Sequence, residues 1–513
     1  QSLFRTPEPD ASYRGCMMPG AWPRSFELLT RGIPTLDLLP APGPADRRVN
    51  DVHSQLNLTA VRQVVRVESV REVQEVVRSA GDAGLSVSIA GGRHAMGGQQ
   101  FGAGTVLLDM TSLCRVVHLD AERGLLTVEA GIDWPRVLTH LAWAGAGQPR
   151  QWAIVQKQTG ADRLTIGGAL SSNIHGRGLQ LGPMIGDIES FELVDRTGAL
   201  LTCTRQCNGE LFSLAIGGYG LFGVIVGVTL RLTRRHKVQR CVTIATVDRL
   251  PDLFERRIRD GFEYGDCQFA TDSRSGEFMQ MGVFSCYRPV EDDSLIPDDQ
   301  RVLSQGEWQR LLLLAHTDKS RAFAEYARYY MSTDGQVYWS DTHQLASYIG
   351  GYHETLDRQL NAEVKGSEMI TELYVPRPDL PAFVAAVRED ARRHDLNVIY
   401  GTIRVIEQDR ESLLAWARQP WACVVFNLHV DHSPAGLRKA KSDFRRLIDA
   451  AAEFNGSYYL TYHRWATREQ VERCHPRMRE FLARKRALDP RAVFTSDWYT
   501  HHARLMAADF QEG

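Results

Sequence analysis

Two glycine-rich segments constrain the fold of this 513-residue chain more than any other feature. Residues 88–102 read SIAGGRHAMGGQQFG and follow a short apolar stretch, and residues 159–176 read TGADRLTIGGALSSNIHG. Glycine permits tight bends and lets backbone N–H groups face an anion, because no Cβ stands in the way. Either segment alone is about as compatible with a purely structural turn as with a cofactor-binding loop. Two of them in one domain indicate an extended, pyrophosphate-containing cofactor that lies between them.

The first glycine segment ends a predicted β-α-β unit. Residues 61–67 and 85–90 are apolar enough for strands, and Ser69 with Glu72 forms a capping-box pattern before a helical repeat of Val73, Val77 and Ala80. Neither segment has the P-loop or Rossmann glycine spacing. Further strands are expected at 105–109, 125–130, 189–194, 199–203 and 224–232, with a helix at 134–143.

Composition excludes several classes of protein. The chain has 60 Lys+Arg and 62 Asp+Glu, so its net charge of −2 argues against a general nucleic-acid binder. No apolar run approaches the roughly 18–20 residues of a membrane helix. The nine cysteines lack zinc-ligand spacing, so no metal site is expected and a reducing, cytoplasmic compartment is favoured. The sequence starts at Gln1 rather than Met, which indicates either a removed signal peptide or the choice of expressed segment.

Glycine density and proline content divide the chain into four parts. Residues 1–49 form a proline-rich arm, residues 50–235 a glycine-rich domain and residues 236–455 a mixed domain of strands and amphipathic helices, with helices at 307–315 and 381–394. Residues 456–513 begin with a strand at 457–463 and continue into a helix that leads to Asp489.

The glycine segments, together with AIGGYGLFGVIVGVTLRL at residues 215–232, resemble the FAD-binding domain of the vanillyl-alcohol oxidase family, the p-cresol methylhydroxylase (PCMH) type. The stretch from His475 to Trp498 is similar to the end of the alditol and aldonolactone oxidases and of decaprenylphosphoryl ribose oxidase of that family. The resemblance implies an α+β fold. A PCMH-type FAD-binding domain of two α+β subdomains would carry a sheet-based substrate (cap) domain, and residues 456–513 would return to the FAD-binding domain.

The resemblance also implies which residues hold FAD. They are Gly91, Gly92, Arg93, His94, Ala95, Gly97, Gly98, Gly160, Thr165, Gly167, Gly168, Ser172, Asn173, His175, Gly176 and Ile225. Many members of the family bond a histidine covalently to the 8α-methyl group of the flavin, and His94 matches that position. Ala95 departs from the usual serine beside it, so His94 is expected either to carry the flavin covalently or to hydrogen-bond a non-covalent FAD.

Three predicted strands of the middle domain carry one polar pattern. With side chains alternating between faces, Glu372, Arg404 and His429 fall on one face if the strands at 368–375, 400–405 and 425–430 pair in one sheet. A polar face of this kind is either solvated or lines a cavity. In the resembled oxidases the corresponding strands supply the residues over the flavin, although the ribose oxidase has a lysine where this chain has His429.

The three side chains suit the oxidation of an alcohol. His429 is the predicted base for the hydroxyl proton, Glu372 would hold the base or a substrate hydroxyl, and Arg404 would stabilise the anionic reduced flavin or substrate oxygens. The sequence therefore predicts an FAD-dependent oxidase or dehydrogenase that oxidises a CH–OH group of a sugar, polyol or similar small molecule, by hydride transfer to flavin N5. The electron acceptor would be O2 or another molecule.

Two other functions remain open at the level of sequence. One is a flavin-dependent oxidase, cyclase or C=C-acting enzyme whose substrate is a natural-product or lipid intermediate. The other is a flavin-binding protein without turnover. In each case the expected partners are small molecules, with no nucleic acid and no membrane span.

Overall fold

A computed structural model describes residues 47–346 and 351–507, and shows a mixture of helices and sheets of the α+β class. The predicted arm at 1–49 lies outside the described residues except for its last three positions. The strands are, in chain order, β1 (Arg48–Val49), β2 (Thr59–Ala60), β3 (Gln63–Arg66), β4 (Val87–Ala90), β5 (Val106–Asp109), β6 (Val116–Asp120), β7 (Leu125–Glu129), β8 (Trp152–Ile154), β9 (Ile188–Val194), β10 (Leu200–Cys203), β11 (Val224–Arg234), β12 (Lys237–Thr246), β13 (Tyr264–Phe269), β14 (Met281–Val290), β15 (Val337–Trp339), β16 (Gly366–Pro376), β17 (Val398–Ile406), β18 (Trp421–Asp431) and β19 (Ser457–Tyr458).

The helices alternate with these strands along much of the chain. They are α1 (Val70–Asp82), α2 (Trp134–Gly145), α3 (Ile166–Ser172), α4 (Gly209–Ala215), α5 (Leu250–Arg259), α6 (Gln305–Thr317), α7 (Lys319–Met331), α8 (Tyr352–Leu360), α9 (Leu380–Arg393), α10 (Pro434–Glu453), α11 (Arg468–Cys474), α12 (Met478–Leu488) and α13 (Asp497–Ala507). Among the described residues, no helix has both the length and the apolar character needed to cross a membrane.

The described strands form three larger sheets and a short β1–β2 ladder. Sheet I is parallel, in the order β3-β5-β4. Sheet II is antiparallel, in the order β10-β9-β11-β7-β6, and β8 also pairs with β11. Sheet III is antiparallel, in the order β15-β12-β14-β13-β17-β18-β16-β19. The chain passes from sheet II to sheet III between Arg234 and Lys237, next to the predicted domain boundary.

The predicted β-α-β unit is confirmed as β3-α1-β4. Helix α1 begins where the Ser69 side chain accepts a hydrogen bond from the backbone N–H of Glu72, at 3.2 Å. The reciprocal half of the capping box is absent here, since the Glu72 carboxylate instead accepts from the backbone N–H of Glu68 at 2.8 Å. Val73, Val77 and Ala80 are buried, as the helical repeat predicts.

Sheet III has one helix-covered face and one polar face. Val424, Phe426 and Leu428 of β18 are buried in the same apolar cluster as Phe383 of α9 and Phe444 of α10. Alternate residues of β18 point to the opposite face, because successive side chains of a strand alternate. Because α9 and α10 cover the opposite face, most of the polar face of β16, β17 and β18 is available to form a site.

The C-terminal segment differs from its prediction in its strand and gains two helices, α11 and α13. The strand expected at 457–463 ends at Tyr458, and helix α13 follows the predicted helix α12. Between these helices the chain runs beside β4, where Val87 N–H donates to the Val493 carbonyl at 2.6 Å and Thr495 N–H donates to the Val87 carbonyl at 3.0 Å. Phe494 packs in the buried apolar cluster of sheet I and α1. Residues more than 400 positions apart thus complete one layer.

Replacing Phe494 tests this closure. We expect Phe494→Ala to lower the free energy of unfolding by about 3–5 kcal/mol, because it leaves a cavity beneath α1. Leu488→Ala is the matched control, since Leu488 is 37% exposed and its truncation changes stability little. Urea unfolding of both variants measures the difference, and equal effects would show that the C-terminal segment does not support sheet I.

Candidate active site

A partly open cavity lies between the glycine turn after β4 and helix α3, with about 690 Å³ of empty space that includes open solvent. Its walls combine this turn, α3 and the glycine-rich turn before β11. The lining residues that were predicted as FAD contacts are Gly91, Gly92, Arg93, His94, Ala95, Thr165, Gly167, Gly168, Ser172 and Ile225. The structure therefore brings the two glycine segments together around one space.

The remaining predicted FAD contacts lie outside this lining. Gly97 and Gly98 pack against the chain near Thr461 and Arg464, where added Cβ atoms would come within about 3 Å of neighbouring atoms. The others outside the lining are Gly160, Asn173, His175 and Gly176. Sequence reasoning did not assign Tyr219, Gly220 and Gly223 to the cofactor, although they line the cavity and belong to the GGYG stretch that carried the resemblance.

Two glycines allow the turn after β4 to reach helix α3. A Cβ on Gly91 would lie 2.1 Å from Thr165 Oγ1, and one on Gly92 would lie 2.6 Å from the Arg163 carbonyl oxygen. Thr165 begins α3, and its hydroxyl accepts a hydrogen bond from Gly168 N–H at 3.2 Å. Side chains at these glycines would push the turn away from α3 and open the cavity.

The cavity fits an extended polar cofactor such as FAD. Glycine backbone forms much of its wall, which permits close approach of a phosphate. Gln99 and Gln100 also line the cavity, and among the described residues neither of their side-chain oxygens has a hydrogen-bond partner. Buried oxygens of this kind require a donor, which a ligand in the cavity can provide.

His94 is held at the edge of this cavity by a second imidazole. Its Nδ1 lies 2.8 Å from Nε2 of His53, and the two rings are 4.9 Å apart between centroids. Burial, together with the nearby His53, holds the pKa of His94 well below its usual value. His94 therefore stays neutral at physiological pH and keeps a ring lone pair, as a nucleophile or hydrogen-bond acceptor needs.

Glu372 is the centre of a buried hydrogen-bonded group on the polar face of sheet III. Its Oε2 lies 2.7 Å from His175 Nε2 and accepts from the Tyr374 hydroxyl at 2.9 Å, while Oε1 accepts from the Tyr462 hydroxyl at 2.9 Å. Burial opposes the charge on Glu372, but His175 and these hydrogen bonds lower its pKa to about 2. The carboxylate is thus ionised, and Oε1 retains capacity for one more donor.

Arg404 contributes a fixed positive charge beside Glu372. It lies on the same face, opposite Cys423 of β18, and its Nη2 donates to the Thr159 hydroxyl. Although burial opposes the charge, Asp266 and other neighbours raise the pKa of Arg404. Among the described residues, its buried Nε has no hydrogen-bond partner, and neither has the buried Oδ1 of Asn427 on the same face. These atoms are available to the oxygens and hydroxyls of a ligand.

Glu372, Arg404 and His429 lie on one face of sheet III, but His429 lies away from the other two. Glu372 pairs with Val425 across β16 and β18, whereas His429 pairs with Glu368 four residues away. At about 3.3 Å per residue this separates His429 from Glu372 by about 13 Å. The imidazole beside Glu372 is that of His175, which the sequence had assigned to the cofactor.

The Glu372 centre is joined to the cavity through the chain after α3. Ser172 lines the cavity, and its carbonyl oxygen accepts from the Tyr459 hydroxyl at 2.6 Å. Three residues later, His175 contacts Glu372, and its ring lies 5.1 Å from that of Trp416. The chain from Ser172 to His175 therefore connects the cavity wall to the Glu372 centre.

Comparisons with known proteins also indicate a cofactor site in this part of the chain. Residues 61–204 match the family described as an FAD binding domain. An uncharacterized oxidoreductase of the fasciation locus of Rhodococcoides fascians is 34% identical over 182 residues, which are 34% of this chain and 39% of that protein. Cytokinin dehydrogenase 10 of Oryza sativa is 31% identical over 199 residues, 36% of this chain and 35% of that protein. The chain thus spans well under half the length of these two relatives.

A third relative matches over a much longer stretch. L-gulono-1,4-lactone dehydrogenase of Mycobacterium tuberculosis is 25% identical over 441 residues, which cover 85% of this chain and 94% of that protein. Only 15% of the chain lies outside this match, and residues 236–455, which carry most of sheet III, make up a larger share than that. The match therefore includes part of sheet III.

The ionised state of Glu372 predicts a pH-dependent contribution to stability. We expect Glu372→Gln to lower the free energy of unfolding by about 3 kcal/mol at pH 7, because it leaves His175 without its anionic partner. The pKa of Glu372 is about 2 in the folded protein and about 4.5 when unfolded, so the stabilisation is present above pH 4.5 and is lost as the pH falls towards 2.

Urea unfolding at pH 7 and at pH 3.5 measures this difference between wild type and variant. Glu453→Gln is the control, since Glu453 is exposed at the end of α10. A pH-independent difference would contradict the assignment of an ionised Glu372.

Proposed function

We propose that this chain, which belongs to the FAD-linked oxidoreductases through its PCMH-type FAD-binding domain, oxidises a CH–OH group of a sugar, polyol or similar small molecule. The observation that carries the proposal is the buried charge pair of Glu372 and Arg404, which His175 connects to the chain that lines the cofactor cavity. The long match to a sugar-lactone dehydrogenase supports it, because that match reaches into sheet III. The match to cytokinin dehydrogenase 10 covers only 36% of the chain.

In the proposed arrangement, residues 50–235 and 456–513 hold FAD and residues 236–455 form a cap over it. Gly91, Gly92, Thr165 and Gly168 would lie against the cofactor's phosphates, and His94 would lie at its flavin. When bound, FAD supplies the acceptor for the hydride that leaves the substrate carbon. The protein's residues supply position and charge.

Glu372 and Arg404 would bind the reacting end of the substrate. Oε1 of Glu372 accepts a hydrogen bond from the substrate hydroxyl and orients it, and the low pKa of Glu372 keeps this carboxylate ionised as an acceptor. Arg404 donates from its unpartnered Nε to a substrate oxygen and stabilises negative charge that develops nearby. His429 has no place in this step, because its ring lies about 13 Å along the strand.

Anaerobic reduction by candidate substrates tests the activity. We expect aldonolactones or polyols to bleach the flavin absorbance of the purified protein, and Arg404→Ala to slow the bleaching by about 10²–10³-fold, because a charged donor is lost. His118→Ala is the control, since His118 is exposed on β6. Failure of every lactone and polyol to bleach the flavin would contradict the substrate class. Purified protein without flavin would contradict the whole proposal.

The same preparation identifies the electron acceptor. Relatives of this chain include both an oxidase and dehydrogenases by name, namely L-gulonolactone oxidase of Bos taurus and L-gulono-1,4-lactone dehydrogenase. Oxygen consumption during turnover would indicate O2 as the acceptor, whereas turnover only with an added dye or quinone would indicate another.

We further propose that His94 is bonded covalently to the flavin, since it is neutral, buried and at the cavity wall. After acid precipitation we expect the yellow colour to remain with the wild-type protein and to be released from His94→Ala. His140→Ala is the control, because His140 does not line the cavity. Release of the flavin from the wild-type protein would show that His94 holds FAD only by non-covalent contacts.

A further inference from the structure

A second polar cluster lies on sheet III, four residues along β16 from Glu372. It consists of Glu368, His429 and His316, and is called the His316 cluster below. Glu368 of β16 and His429 of β18 are directly opposite each other across the two strands. His316 reaches them from the last turn of α6. The proposed oxidation uses none of these three side chains.

The contact between His316 and Glu368 is short but is not a hydrogen bond. Nε2 of His316 lies 2.7 Å from Oε1 of Glu368, and the two side chains are only 4% and 3% exposed. Among the described residues, neither this nitrogen nor either carboxylate oxygen of Glu368 has a hydrogen-bond partner. Burying a carboxylate in this way is costly unless a cation balances it. The lone pairs of Glu368 therefore remain for a cation that lies between these side chains.

His429 is oriented as a third ligand. Its Nε2 lies 3.2 Å from Oδ1 of Asp431, while its buried Nδ1 has no partner among the described residues. A carboxylate on one ring nitrogen commonly orients the other toward a metal ion. Gly366 leaves room for this ring, since a Cβ there would lie 2.4 Å from Cε1 of His429.

We propose that His316, Glu368 and His429 bind a divalent transition-metal ion of the zinc type. One ligand atom from each residue lies within 4.8 Å of the others. Two imidazoles and one carboxylate suit Zn²⁺ or Fe²⁺, whereas Mg²⁺ and Ca²⁺ prefer oxygen ligands alone. Three protein ligands leave at least one position for water.

Only the His316 cluster is assigned a metal, although a second group of possible ligands lies at the Glu372 centre. That group is His175, Glu372 and Cys423, whose ligand atoms are equally close together. There, however, tyrosine hydroxyls and His175 already donate to both carboxylate oxygens of Glu372. In the His316 cluster those donors are missing, so the lone pairs of Glu368 remain for a cation.

A metal ion here would fasten helix α6 to sheet III. Within its described span, α6 has no fully buried residue, so apolar packing holds it weakly. A bond from His316 to an ion that Glu368 and His429 also bind would connect the helix to two strands. The ion would therefore stabilise the folded protein in proportion to its affinity.

Zinc titration of the flavin-containing protein tests the proposal. The full chain is prepared without a histidine tag, treated with a chelator and titrated with Zn²⁺ by calorimetry, and its metal content is measured after gel filtration. We expect one tightly bound Zn²⁺ per chain and a higher thermal midpoint. His316→Ala and Glu368→Gln should weaken binding by more than about tenfold, and Asp431→Asn by about tenfold, because it frees the ring of His429.

Controls separate loss of the site from loss of the fold. His118→Ala removes an exposed histidine on β6 and should bind Zn²⁺ as the wild type does. Far-UV circular dichroism and flavin content confirm that each variant is folded, and Asp431→Asn alters only a 58%-exposed side chain. Wild-type protein that retains no Zn²⁺, or affinity that is unchanged in all three site variants, would overturn the proposal. Neither result depends on turnover.

Discussion

The buried contact between His175 and Glu372 joins the layer that carries the cofactor cavity to sheet III. A carboxylate removed from water is stable only if its partners replace the lost hydration, and here His175, Tyr374 and Tyr462 do so. The aromatic rings around them exclude water, which strengthens each of these hydrogen bonds. This pair of side chains, 197 residues apart in the sequence, sets the relative position of cavity and sheet together with other contacts, such as that of the Tyr459 hydroxyl with the Ser172 carbonyl.

Much of the FAD-binding half could be predicted because its signals are local. The strand, capped helix and glycine turn at 61–98 follow from side-chain periodicity and from residues that permit unusual backbone geometry. Period-two alternation also placed Glu372, Arg404 and His429 on a common face. Local pattern failed at the strand expected over 457–463, because the tyrosine-rich residues after Tyr458 turn inward to contact Ser172 and Glu372 instead of pairing with a neighbouring strand.

The composition of each polar centre could not be predicted, because it depends on strand register and on distant segments. Alternation says which face a side chain occupies but not how far along the sheet its partner lies, so His429 was grouped with Glu372 rather than with Glu368. His316 and His175 come from segments outside the three strands, and no spacing in the sequence connects them to a carboxylate. The proposed metal site could not be predicted from the sequence for the same reason.

Strand β16 carries both carboxylates, Glu368 and Glu372, an even number of residues apart. A deletion of one residue between them would turn one carboxylate to the opposite face of the sheet and disrupt one centre. A slip of the whole strand by one residue would turn both carboxylates to that opposite face. Divergent relatives can therefore exchange side chains along this strand more freely than they can change its length. Preservation of that spacing, more than overall identity, would mark the chains that have inherited both centres.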